Sequence, residues 1–246
     1  MKLLVAISQT PETTARIAFK DEGKAFDPTG VNFIMNPYDE WYALVRALEL
    51  KEELGGTVTV IHCGPAANDV TIRKALAIGA DDAYRVDITP ESAYVVAQQI
   101  AAHAKEQGYD LIFTGKETID YNGALVGGMI AGLLDMPFIS HASKMVTQGD
   151  KMIVTRDIEG GEEDIEVSTP FVLSASKGLA EQRIPNMRGI MSAKSKPLNV
   201  VEPVAMEPLA VHTHFTVPPP KSAVKLVDAE NVEELVRLLH EEAKAI

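Results

Sequence analysis

Cysteine is almost absent from this 246-residue sequence, in which Cys63 stands alone. A disulfide framework and a cysteine cluster for zinc or iron–sulfur are thereby excluded. Positive charge is scarce too. There are 23 Lys and Arg against 35 Asp and Glu, a formal net charge of -12. Such a chain is a poor match for duplex nucleic acid, whose non-specific binding needs many phosphates neutralised. No nucleic-acid partner is expected, although a nucleotide held by backbone amides stays open. Long apolar runs are missing as well. The opening "MKLLVAISQTPETT" has one Lys and an apolar run of five residues, too short for a signal peptide, and no later stretch approaches an uninterrupted membrane span. The expected setting is the cytoplasm. Neither a Walker loop nor the dinucleotide fingerprint occurs.

What is present suffices for a core. Hydrophobic residues make up 46% of the chain, so one large domain, alone or with an appendage, is expected. "KLLVAIS" reads as a buried strand, and "VNFIMNP" as a shorter apolar segment ended by Pro37. Tyr38 to Leu54 carries helical spacing stopped by Gly55 and Gly56. "TVTVIHCG" is a second strand, after which Asn68 or Asp69 is placed to cap a helix ending near Gly79. "DAYRVDI" is a third strand. The helix after it takes Thr89 as cap and Pro90 at its first position, and closes at Gly108. "YDLIFTG" is the fourth strand, and a helix from about Asn122 to Leu134 precedes Pro137.

Strands alternating with helices predict the α/β class, as a Rossmann-like layered domain with a mostly parallel sheet. From Phe138 to Ser174 the rhythm changes to short strands joined by tight turns at "GDK" and "EGGEE". These form a hairpin extension with a solvated acidic run. Residues 1–198 are expected to be a nucleotide-binding domain. Residues 199–246 are expected to be an extended, proline-rich C-terminal arm ending in the amphipathic helix "NVEELVRLLHEEAKAI".

The stretch "GKETIDYNGALVGG", Gly115 to Gly128, joins an apolar strand to a glycine-rich helix. Carboxyl ends of parallel strands face the crevice where α/β proteins bind ligands, and bare amides at a helix start suit a phosphate. Gly123, Gly127 and Gly128 fit equally a helix pressed tightly against the sheet. Asn36 reads either as a hydrogen-bonding group for a ribose or base or as a helix cap. Cys63 reads as a small buried residue at a strand end, since no acid–histidine pair serves it and His62 points to the opposite face. His212 and His214 lie on one side of an extended segment without a third metal ligand, and read as surface or interface histidines. "SKGLAEQRIPNMRGIMSAKSK" gathers Lys177, Arg183, Arg188, Lys194 and Lys196 around Ile184, Met187 and Met191. It is either a docking loop for an acidic partner or a covered linker whose Met side chains fill internal gaps.

"VNFIMNPYDE", "HCGPA", "TIRKALAIGADDAYRV", "DLIFTGKETID", "VTRDIEGGEEDIEV" and "GLAEQRIPNMRGIMSAKSKPL" resemble, in this order, the blocks of the electron transfer flavoprotein beta subunit. The match runs over nearly the whole chain. The resemblance implies a heterodimer with an alpha subunit carrying FAD. It also implies transport of electrons from flavin-dependent dehydrogenases, such as acyl-CoA dehydrogenases, to a membrane quinone oxidoreductase. The beta subunit then holds a structural AMP and is an electron carrier subunit, not a stand-alone catalyst. By the match, the cofactor-binding residues are Ala6, Asn36, Pro37, Tyr38, Asp39 and Cys63, together with a loop. That loop is Gly115, Lys116, Glu117, Thr118, Ile119, Asp120, Tyr121, Asn122, Gly123, Ala124, Leu125 and Val126. Tyr38 falls where the family has an aromatic residue near the isoalloxazine of the partner's FAD. Met187 is the apolar anchor for dehydrogenases, with Ile184, Arg188 and Met191 around it, in a recognition loop near residues 177–197. The terminal helix packs on the alpha subunit.

Two departures bear on these expectations. The family loop usually has an acidic pair and then a Gln before the glycine, whereas this chain has Asp120, Tyr121, Asn122 and then Leu125 before Val126 and Gly127. One polar contact to the nucleotide is thereby lost, while backbone amides still suit a phosphate. The basic run after the recognition loop is thinned to "SAKSKP", which weakens partner steering. AMP is the expected occupant. The alternatives are a bifurcating flavoprotein subunit with a second FAD in the AMP site, a non-catalytic adenine-nucleotide sensor, and a small enzyme acting on adenine nucleotides.

Overall fold

Alternation in the strand "KLLVA" sends Leu3 and Val5 to one side and Leu4 and Ala6 to the other, and both sides are buried. Such a strand belongs in the middle of a sheet covered on two faces. The computed structural model, which describes residues 1–221 and 223–246, places it there. This strand, β1 (Lys2–Ala6), is followed by an excursion of short strands, β2 (Gln9–Pro11), β3 (Phe19–Lys20), β4 (Ala25–Phe26) and β5 (Phe33–Met35). Helix α1 (Asp39–Leu54), β6 (Thr57–Cys63), α2 (Asp69–Ile78), β7 (Asp82–Val86), α3 (Ala93–Gln107), β8 (Leu111–Gly115) and α4 (Val126–Leu134) come next. The chain then forms β9 (Phe138–Gln148), β10 (Lys151–Ile158), β11 (Gly161–Val167), β12 (Phe171–Ala175), α5 (Met187–Ala193) and β13 (Leu198–Val201).

Among the described residues the main sheet has nine strands in the order β11-β10-β9-β12-β8-β1-β6-β7-β13. Every ladder from β9 across to β13 is parallel, and the β9-β10-β11 end is antiparallel. The Rossmann-like layered fold expected from the sequence is therefore present. Residues of α1 and α2 share one buried cluster with Leu3, Val5, Val58, Val60, Leu111 and Phe113. Residues of α3 and α4 share the other with Leu4, Ala6, Ile61 and Ile112. Each of these large side chains contributes about 1.5–3 kcal/mol on burial. Chain order reverses at β1: β6 and β7 extend the sheet on one side and β8 on the other. The switch point lies between the carboxyl ends of β1 and β8.

The apolar segment "VNFIMNP" forms β5, which pairs antiparallel with β2 outside the main sheet, and contradicts nothing expected of it. Several local expectations are corrected. Neither Asn68 nor Asp69 caps α2 through its side chain; Asn68 Nδ2 lies 2.9 Å from His62 Nε2, and Asp69 pairs with the Arg85 guanidinium at 2.8 Å. Ser92, not Thr89, caps α3, its Oγ accepting from the Val95 amide. Helix α4 starts at Val126, four residues later than expected, because Asn122 (φ 49°) and Ala124 (φ 50°) take left-handed backbone conformations. "PFVLSAS" is no hairpin strand: β12 inserts parallel between β8 and β9.

The first compact unit runs from Met1 to Phe215, and β13 joins its sheet beside β7. Thus the segment read as the start of the arm begins as an edge strand. Thr216–Ile246 forms a second unit. It contains α6 (Val232–Glu241), capped by Asn231 Oδ1 on the Glu234 amide and braced by Arg237 pairing with Glu234 and Glu241. Val232, Leu235 and Val236 on α6 are exposed.

Candidate nucleotide crevice and docking loop

At the switch point, Ala6, Ile7 and Ser8 leave β1 beside Thr114 to Thr118 leaving β8, and a crevice of about 60 Å³ opens between them. Glu40, Leu125 and Val126 stand at it too, with Val96 and Ile100 of α3. This is the share of roughly two water molecules, so only a small group fits inside. The start of α4 faces the same crevice through Val126, and no side chain caps it. Bare amides at a helix start are the anion-binding element expected there.

Asn36 does not cap α1, whose N-cap position is Tyr38. Wholly buried, it pins the loop: Nδ2 donates to the Glu117 carbonyl at 3.0 Å, and the Ile119 amide donates to Oδ1 at 3.0 Å. Its own backbone amide donates to the Ser8 carbonyl, so this one residue ties the end of β5 to the exit of β1 and to the loop. Tyr38, two residues on, takes φ 65° and ψ -98° and is 56% exposed. A bulky residue in that region is strained, which marks the position as a candidate for function. Asp39 begins α1, and burial holds its carboxyl above the usual range against the opposing pull of Lys116.

The glycines separate into different roles. A Cβ at Gly127 would meet Thr114 Oγ1 at 2.7 Å and the Phe138 ring at 2.9 Å, so tight packing requires that glycine. Gly123 has room for a methyl group, and Gly128 would make an ordinary contact. Gly115 lets Glu40 close in, since a Cβ there would stand 2.8 Å from Glu40 Cγ. Cys63 is buried and its thiol is pushed up to about 12 by that burial. It is a packing residue with no thiolate near neutral pH. His62, on the other face, is buried with Nδ1 2.9 Å from the Ile7 carbonyl.

Beside the loop lies a larger cavity of about 510 Å³, lined by Phe19, Phe26, Phe33, Tyr121, His212 and Phe215 among others. Phe19 stacks on Phe215, and His212 lies between Tyr121 and Phe215 with ring centroids 5.0 and 5.4 Å away. Sequence reading had no route to this cavity, because its walls come from segments far apart in the chain.

In the segment after β12, Met187 begins α5 and is 73% exposed, with Ile184 at 81% and Met191 at 69%. These side chains fill no internal gap. The loop is nevertheless fixed beneath. Trp41 Nε1 donates to the Arg183 carbonyl at 3.1 Å, and Arg73 donates to the carbonyls of Ala193 and Lys196 at 2.7 and 2.6 Å. Arg183 pairs with Glu52, while Lys196 Nζ donates to the carbonyls of Leu76 and Ala80. Two of the five cations counted for docking therefore serve the fold, while Lys177, Arg188 and Lys194 stay exposed.

Gly189 sets α5 on α2, where a Cβ would stand 2.3 Å from the Ala77 carbonyl oxygen. Gly189→Ala is expected to lift the loop and cost about 1–3 kcal/mol, seen as a lowered Tm. A variant melting with the parent would contradict this packing.

An open, mostly parallel sheet with helices on both faces and a crevice at its switch point defines the chain as a Rossmann-like α/β protein. The model of the electron transfer flavoprotein domain matches residues 24–206. The Bacillus subtilis electron transfer flavoprotein subunit beta is 36% identical, the match covering all of both chains. The subunit of the same name from Thermoanaerobacterium thermosaccharolyticum is 39% identical over 80% of this chain and 76% of its own. The human one is 34% identical over 98% and 97%. The chain belongs to the electron transfer flavoprotein family, on the beta-subunit side, and its general role is electron transfer.

Proposed function

We propose that this chain is the beta half of a heterodimeric electron carrier whose FAD is held mostly by an alpha partner, and that its crevice seats the phosphate of a structural AMP. The observation that carries the proposal is the uncapped start of α4 facing a crevice at the sheet's switch point, in a chain of this family. Bound FAD would supply the redox chemistry, and the protein supplies position and electrostatics. Ala6, Cys63 and Asn36 to Asp39 would form one wall of the nucleotide site, and Gly115 to Val126 the other. Tyr38 is offered to the partner's flavin, and the aromatic cavity beside the loop gives further stacking faces.

AMP is the favoured occupant, as the family resemblance implies. Leu125, where the family usually has Gln, removes one polar contact to either nucleotide and does not decide between AMP and a second FAD. A nucleotide-hydrolysing enzyme draws no support from Cys63 or His62, both buried and engaged. On this proposal Met187 and its neighbours receive flavin-dependent dehydrogenases, electrons leave for a membrane quinone oxidoreductase, and the arm with α6 packs on the alpha partner. The cytoplasmic setting is retained as part of the proposal, and cell fractionation tests it.

Co-expression with an alpha-type partner, and purification through a tag on this chain, should return both chains with bound FAD. An acyl-CoA dehydrogenase with its substrate should then bleach the flavin absorbance. Recovery of this chain alone, or a flavin that no dehydrogenase reduces, would contradict the proposal.

A further inference from the structure

Glu40 is a charged residue that the nucleotide reading leaves unused, yet its carboxyl stands in the crevice wall. It is buried, with Oε2 accepting from the Ser8 amide and Oε1 accepting from Ser8 Oγ, each at 2.6 Å. These two bonds join the exit of β1 to the first turn of α1. Gly115 presses on the Glu40 stem from β8, so Glu40 is held among the exit of β1, the first turn of α1 and the end of β8, three of the elements that line the crevice.

Its charged surroundings are mostly negative. Asp39 adjoins it on α1 and Asp120 faces it from the loop after β8. Lys116 lies nearby but pairs with Glu117 at 3.2 Å, and both act on Asp39, as does His141 of β9. An ionised Glu40 would set one more negative charge against a phosphate in a site of low dielectric.

Resting on the AMP reading above, we propose that Glu40 is a proton-linked positioning residue. Protonated, it admits the phosphate and donates to Ser8 Oγ; ionised, it repels the phosphate. The proton comes from solvent to a Glu40 carboxylate oxygen, and no other bond changes. Burial pushes the group up to about 8; the Ser8 bonds act against this, and Asp120 and Asp39 add to it. Nearby phosphate raises it further, so AMP binding takes up a proton above pH 8 and affinity falls there by up to about tenfold per pH unit.

The same group gives a signal without nucleotide. Its folded value lies above its ordinary 4.5, so between about pH 4.5 and 8 the native chain holds a proton that the unfolded chain has lost. Glu40 therefore makes stability decline as pH rises through that window and level off above it.

The test is calorimetric titration of AMP, and separately of FAD, into the nucleotide-stripped full chain with its alpha partner. Buffers of two ionisation enthalpies are used from pH 7 to pH 9.5. Proton uptake should rise toward one per AMP at the alkaline end. Glu40→Gln, whose amide donates to Ser8 Oγ as the acid would, should bind AMP with a nearly flat profile and lack the stability decline. Ser8→Ala should move the midpoint to higher pH, an outcome that lost packing does not produce. AMP binding with equal affinity at pH 7 and 9.5, or uptake unchanged in Glu40→Gln, overturns the linkage alone. Failure of both nucleotides to bind overturns the nucleotide reading and the linkage together. Uptake with FAD and no binding of AMP overturns the AMP assignment.

Discussion

Asn36→Ala is expected to weaken AMP binding by about 30- to 100-fold. The variant loses two buried hydrogen bonds, to the Glu117 carbonyl and from the Ile119 amide, at about 1–1.5 kcal/mol each. Together they correspond to roughly 2–3 kcal/mol, and each 1.4 kcal/mol is about tenfold. The loss falls on the loop rather than on the core, since the side chain joins backbone groups far apart in the chain and the sheet ladders are untouched. Asn36→Asp should sit between, because it keeps an acceptor for Ile119 but loses the donor to Glu117. Calorimetry on the nucleotide-stripped complex measures both variants. An Ala variant within threefold of the parent would show that the loop does not depend on this pin.

Met187→Ala is expected to lower kcat/KM for reduction by a dehydrogenase about 30-fold, the effect of truncating a central apolar anchor worth roughly 2 kcal/mol. Bound FAD and AMP should be unchanged, because α5 stands apart from the crevice and is held by Trp41, Arg73 and Lys196. Arg188→Ala should act differently, with a smaller loss that shrinks further at high salt, as for a rim charge that speeds encounter. Reduction kinetics against ionic strength distinguish the two. If Met187→Ala reduced at the parent rate, the exposed apolar cluster would not be the docking surface. The two variants are thus expected to separate, Asn36→Ala affecting nucleotide and Met187→Ala partner transfer.

The parallel centre of the sheet was legible because β1, β6, β7 and β8 are short apolar runs buried on two faces and separated by helical spacing. β12 was not, since "FVLSA" is equally apolar whether it closes a hairpin or inserts beside β8, and nothing local decides its neighbours. The start of α4 was misplaced for a backbone reason. Asn122 and Ala124 adopt positive φ, a choice that Asn allows and Ala gives no hint of. The loop as a site was legible from its strand, turn and helix order. Its supports were not: Ser8 meets Glu40 across 32 residues and Trp41 meets Arg183 across 142. A carboxylate in the first turn of a helix reads as an ordinary complement to the helix dipole, and burial sets Glu40 apart.

The central claim is that the crevice holds AMP while flavin chemistry belongs to the partner. Acid release and chromatography of the nucleotides in the purified heterodimer, quantified against both chains, tests it most directly. One FAD with one AMP per heterodimer is the predicted result. Two FAD with no AMP would contradict it, making the loop from Gly115 to Val126 part of a second redox centre.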